Sequence, residues 1–140
     1  MFGITHTTAT IAACAMLALP AYAEQMNFTA DLSGQNEVPA NDSAATGTAD
    51  VAVDTDAMTV SWTVDVQDLS DDATAAHIHG PAGADENAAP VIDMSEAIME
   101  GEAEITQDQI DALKDGKYYV NVHTEKFPKG EVRGQLAPAQ

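Results

Sequence analysis

Cysteine is nearly absent from this chain. Cys14 is the only one, and it lies in a short apolar stretch near the N-terminus, so residues 24–140 contain no thiol. No disulfide can staple that segment, no thiolate can serve as a nucleophile, and any metal it holds must be bound through nitrogen and oxygen. Basic residues are almost as scarce, with 5 Lys and Arg against 23 Asp and Glu and a formal charge of −18. A surface of that sign repels phosphate, which excludes nucleic acid and anionic membranes and leaves cations or basic surfaces as partners. Aromatic residues make up only 5% of the chain, so Trp62, the sole tryptophan, is the expected anchor of the core. Long apolar runs are missing too: residues 11–19 are too few to cross a bilayer, and no other run is long enough. The familiar motifs of catalysis are also absent. No Gly-rich phosphate loop follows a strand, no GxSxG elbow occurs, and Ser61, Ser70 and Ser95 have no evident base. Asp85 and Glu86 lie in an acidic loop without EF-hand spacing. With so many carboxylates, no particular pair stands out for glycoside chemistry.

The apolar run ends in Pro20-Ala21-Tyr22-Ala23, with small residues at −3 and −1 of a cut before Glu24. Residues 1–23 therefore read as a secretory signal, residues 24–140 as a single domain, and the product as secreted or periplasmic. Ile11-Ala12-Ala13-Cys14 has the form of a lipoprotein box, which makes Cys14 an alternative anchor; the mostly polar residues 5–10 before it argue against that.

From Gln25 onward the pattern has period two. Met26, Phe28, Ala30 and Leu32 alternate with polar residues, as do Val60, Trp62, Val64 and Val66. Strands are expected over residues 25–32, 48–53, 58–66, 75–79, 90–94, 101–105, 118–123 and 131–136, with a hairpin turn at residues 54–57. Thr106 and Gln109 stand in capping-box order before Ile110 and Leu113, and Gly116 follows, which predicts one short helix over 107–114. The fold class is all-β, an antiparallel Greek-key β-sandwich of about seven or eight strands.

Three of the four histidines fall in two of these strands: His77 and His79 in one, His123 in the other. Side chains at i and i+2 of a strand share a face. His77 and His79 oppose Ala76 and Ile78, while His123 shares its parity with Tyr119 and Asn121 and opposes Val120 and Val122. If the apolar faces look inward, all three imidazoles look outward or toward a strand edge. Three neutral imidazoles suit copper, zinc, nickel or iron and leave a position open on the metal. Glu37, Glu125 or Glu131 can complete or orient such a set.

Four segments carry a resemblance: Leu32-Ser33-Gly34-Gln35-Asn36-Glu37-Val38-Pro39, Ala75-Ala76-His77-Ile78-His79-Gly80-Pro81-Ala82, Tyr119-Val120-Asn121-Val122-His123-Thr124 and Gly130-Glu131-Val132-Arg133-Gly134-Gln135-Leu136. In this order they resemble the CHRD domain, named for its copies in chordin, an antagonist of bone morphogenetic proteins, and found in many exported microbial proteins. One local departure is Gln35-Asn36-Glu37, where the family more often has Ala between Gly and Gln. The resemblance implies a β-sandwich, export, and a binding module rather than an enzyme. His77-x-His79 is also similar to the copper-binding His-x-His strand of copper–zinc superoxide dismutase. Residues 24–140 hold only three histidines, too few for that bridged centre, so dismutase activity of the usual type is not expected.

These readings converge on a mononuclear site of His77, His79 and His123, with Glu37 and Glu131 as additional ligands, copper as the leading ion and zinc as the other. A metal ion is then the principal partner, with a protein partner also open. The competing reading is a metal-free binding or matrix module whose histidines are structural. An enzyme with a carboxylate site is a third reading, for which the residues name no substrate.

Overall fold

Alternating apolar residues build β1 (Gln25–Ser33), in which Phe28, Ala30 and Leu32 are buried and their neighbours exposed. The computed structural model describes residues 24–140; the predicted signal segment and Cys14 lie outside the described residues. The same alternation continues in β2 (Thr46–Asp54) and β3 (Thr59–Gln67). The turn between them works as predicted, because Asp54 Oδ1 accepts from the backbone N–H of Asp56 at 3.0 Å and Ala57 at 2.8 Å. Then come β4 (Ala73–His79), β5 (Pro90–Asp93), β6 (Glu100–Glu104), helix α1 (Gln107–Lys114), β7 (Tyr119–Thr124), β8 (Val132–Gln135) and the two-residue β9 (Ala137–Pro138).

The strands form one sheet in the order β5-β4-β7-β8-β1-β2-β3-β6, with β9 added on β1. Every pairing is antiparallel. The sheet curls so far that inward residues from both halves, such as Val51 and Trp62 on one side and Ile78 and Val122 on the other, share a single core. The fold is thus all-β and antiparallel with one short helix, close to a closed barrel. Its free edges are β5 and β6, and charge or proline blunts both: Glu100, Glu102 and Glu104 on β6, Pro90 and Asp93 on β5.

Trp62 is only 4% exposed, and its indole N–H donates to Ala97 O at 2.9 Å, so the anchor buries its ring and satisfies its one donor. Helix α1 is held by the predicted capping box. Gln109 N–H donates to Thr106 Oγ1 at 3.3 Å, and Thr106 N–H donates to Gln109 Oε1 at 2.9 Å. Ile110 and Leu113 face the core, and Gly116 follows at φ +68°, a left-handed position that a β-carbon disfavours. Thr106→Ala removes the cap, and urea melts are expected to show a loss of about 1 kcal/mol.

Among the described residues, none of the five Lys and Arg forms an ion pair with a carboxylate. The −18 charge is therefore uncompensated locally, and screening should relieve it. The melting temperature is expected to rise between about 10 mM and 150 mM salt, and a fall over that range would contradict this account.

The structure departs from expectation on the second face of β4 and β7. Strand parity predicts an outward face, yet Tyr119 and Asn121 are buried and His79 is only 9% exposed. The segments 34–43, 80–89 and 125–130 fold over it. Parity assigns a side chain to a face of the sheet, whereas loops decide whether that face meets water.

Candidate metal centre

The antiparallel register of β4 with β7 sets His77 opposite Asn121, His79 opposite Tyr119 and Ala75 opposite His123. His123 is therefore a diagonal neighbour of His77 on the same face, within side-chain reach. The three imidazoles meet. His77 Nδ1 lies 3.2 Å from His123 Nε2, and one ring nitrogen from each histidine lies within 4.8 Å of the others. Metal–nitrogen bonds of about 2 Å need ligand pairs about 3–4 Å apart. The closest pair already meets this, and the third ring offers a nitrogen within 4.8 Å of both.

The outer nitrogens fix the tautomers. His79 Nδ1 lies 2.9 Å from Ala88 O and His123 Nδ1 lies 3.1 Å from Pro128 O. A carbonyl can only accept, so both Nδ1 atoms carry the proton and both Nε2 atoms are bare. His77 Nε2 faces Asp93 Oδ1 at 3.7 Å, longer than a hydrogen bond, and that oxygen also accepts from Ser95 N–H at 2.9 Å. Among the described residues, two buried side-chain polar atoms lack a hydrogen-bond partner, Gln135 Oε1 and His79 Nε2, and the second belongs to this cluster. Native proteins rarely leave a buried acceptor in that state. Burial pushes the His79 pKa below its usual value, with neighbouring His77, His123 and Arg133 adding to the effect against the Ala88 hydrogen bond. Burial likewise lowers His123, opposed by Pro128 and helped by His77. Both rings stay neutral at neutral pH, the state that coordinates metal.

A stack holds the most buried ring in place. His79 lies against Tyr119 with centroids 4.9 Å apart and planes 6° apart, and the Arg133 guanidinium lies 3.5 Å from the Tyr119 centroid. β7 runs between β4 and β8, so the two groups cover Tyr119 from opposite sides. Arg133, 1% exposed, donates to Asn87 Oδ1 at 3.1 Å, Gly83 O at 3.0 Å and Glu86 O at 2.8 Å. It thereby clamps the loop whose Ala88 carbonyl orients His79. Parity reasoning missed this role; a lone arginine in a β-strand was the available signal.

The carboxylates do not join the group as expected. Glu131 is fully buried but committed elsewhere, accepting from Ser43 Oγ, Ser70 N–H, Ser70 Oγ and Thr124 Oγ1. Desolvation opposes its ionisation, yet these hydrogen bonds outweigh it and hold the carboxyl below its usual value. Glu37 accepts from Asn121 Nδ2. Burial raises its pKa to about 7, against the pull of Arg133 and Asn121. Glu125 is exposed. The carboxylate beside the histidines is Asp93, which no spacing rule picks out because it reaches His77 through the β4–β5 register. Asp85 and Glu86 form no metal-ligating cluster among the described residues, although the Glu86 carbonyl serves Arg133.

A cavity of about 450 Å³ opens beside the centre, lined among others by His79, Asn121, Glu37 and the 126–130 turn. At Gly130, φ is +129° and an added β-carbon would run into the Asn121 amide and the Glu37 carboxyl. The turn can approach the cavity wall only with glycine there.

The sequence model for the CHRD domain matches residues 28–136. No curated protein and no solved structure matches the chain. Among the described residues, no helix is long and apolar enough to cross a membrane.

Proposed function

Because the chain belongs to the CHRD family, whose copies in chordin sit in a binding protein, we propose that it is an exported module that binds a single transition-metal ion through His77, His79 and His123. On this reading residues 1–23 are its signal and residues 24–140 its one domain, released to the periplasm or the exterior. Copper is the first choice, since imidazole sites prefer it in the divalent series, and zinc is the second. The observation that carries the reading is His79 Nε2, a bare, buried nitrogen without a partner beside two further imidazoles. A bound cation supplies the partner that this atom lacks. Ala88 and Pro128 carbonyls and Asp93 then act as the outer shell that orients metal-ligating histidines. A copper ion held this way offers one-electron exchange or an open ligand position; nothing in the residues commits the module to turnover.

The test is titration of metal-stripped protein with Cu(II) and Zn(II). One equivalent should bind at micromolar affinity or tighter, and binding should vanish in the double variant His77→Ala, His123→Ala. Equal binding by that variant would place the metal elsewhere. A second reading, a metal-free binding or matrix module with structural histidines, is favoured by one contact: His77 Nδ1 can donate to His123 Nε2 at 3.2 Å without any ion. Metal analysis of protein recovered from its own compartment separates the two.

A further inference from the structure

Positive charge is scarce on this molecule, and two of its five basic residues, Lys126 and Lys129, line the cavity that His79 also lines. Neither ammonium forms an ion pair among the described residues. Lys126 Nζ sits 5.3 Å from the Phe127 ring centroid, so its carbon stem and the ring present an apolar wall with a cationic tip. Val38 and Pro39 add further apolar lining, and Asn121 offers an amide. The cavity, about 450 Å³, falls in the range of small-molecule sites, which pair apolar walls with a few placed polar groups.

We propose that this cavity binds a small organic anion with an apolar body, its charged end held by Lys126 and Lys129 and its body against Phe127, Val38 and Pro39. Glu37 is the one carboxylate in the lining, and it sets the opposing charge. A bound anion lies beside the histidine cluster, and in that respect the inference deepens the metal reading. Its test does not depend on that reading.

Benzoate serves as the probe and benzamide as its neutral isostere, titrated at low ionic strength into ¹⁵N-labelled, metal-free protein. Benzoate should give saturable shifts confined to the amides of Asn87, Ala88, Phe127, Lys129 and Gly130, with benzamide far weaker. The double variant K126Q/K129Q should weaken benzoate on the order of tenfold. At about pH 8, where Glu37 is ionised, E37Q, which keeps an oxygen for Asn121 while removing the charge, should strengthen it. Three results would each overturn the inference: no saturable shifts, benzamide binding as well as benzoate, or unchanged affinity in K126Q/K129Q. Copper binding can fail while these results hold, and the reverse, so the two readings fall separately.

Discussion

His79→Leu is expected to lower Cu(II) affinity by a hundredfold to a thousandfold, about 3–4 kcal/mol, while barely changing the metal-free protein. Leucine matches the imidazole closely in volume and keeps the surface against Tyr119 filled. The metal-free protein loses one hydrogen bond, from Nδ1 to Ala88 O, but is relieved of the unpartnered Nε2. Those terms oppose each other, each on the order of 1 kcal/mol, so the melting temperature without metal should move by only a few degrees. The metal-dependent part behaves differently. An ion bound only by the folded state adds stability that grows with the logarithm of its concentration over Kd, and His79→Leu should erase that increment. Asp93→Asn, acting on the outer nitrogen of His77 at 3.7 Å, should cost about tenfold in affinity, within the range seen for outer partners. The order of these losses is the sharp part. Structural histidines give the opposite pattern, with a large drop in melting temperature for His79→Leu and no stabilisation of either protein by copper. Calorimetric titration and thermal melts with and without Cu(II) decide between them.

The second large effect is at Glu131. Glu131→Ala should destabilise the fold by about 3–5 kcal/mol, because Ser70 N–H, Ser43 Oγ, Ser70 Oγ and Thr124 Oγ1 lose a shared anionic acceptor in a site that is 0% exposed. Glu131→Gln should cost roughly half as much. Its oxygen can still accept from Ser43 and Ser70 N–H, and the remaining hydroxyls can rotate to accept from the amide. Denaturant melts at neutral pH measure both. The pH dependence follows from the sign of the shift. Glu131 is depressed below its ordinary 4.5, so its contribution is fully present above that value and is lost as pH falls through the lower native value. Glu131→Gln should therefore flatten the acid limb of the stability curve. Glu37 works in the other direction: raised to about 7, it holds a proton in the native state that the unfolded chain has released, so its contribution declines as pH rises from 4.5 to about 7. The Glu131 effect should also reach the histidine cluster. Thr124 Oγ1, which donates to Glu131, accepts from Phe127 N–H at 3.2 Å and so holds the turn whose Pro128 carbonyl orients His123.

Much of the fold was legible in the residues because local rules govern it. Period-two alternation placed the principal strands to within two residues, since a strand with one buried face must alternate. Thr106 and Gln109 announced α1 because a capping box satisfies its backbone donors within one turn. Asp54 marked its turn for the same local reason. The site was legible in part. His77 and His79 share a face by parity, and His123 shares parity with residues on its own strand. That the two strands are neighbours, in the register that sets Ala75 opposite His123, is written in no short stretch of either.

Residue types and spacing showed that residues 24–140 contain no thiol and no phosphate-binding loop, pointed to an all-β fold, and singled out three imidazoles as candidate metal ligands. Such conclusions need only composition, spacing and the chemistry of side chains. Only the tertiary structure decided that the histidine face is roofed by loops, that Asp93 rather than Glu37 or Glu131 stands beside the cluster, and that Arg133 and Glu131 hold those loops in place. Each of these depends on contacts between segments far apart in the chain, where a one-residue change of register would send every side chain to the other face.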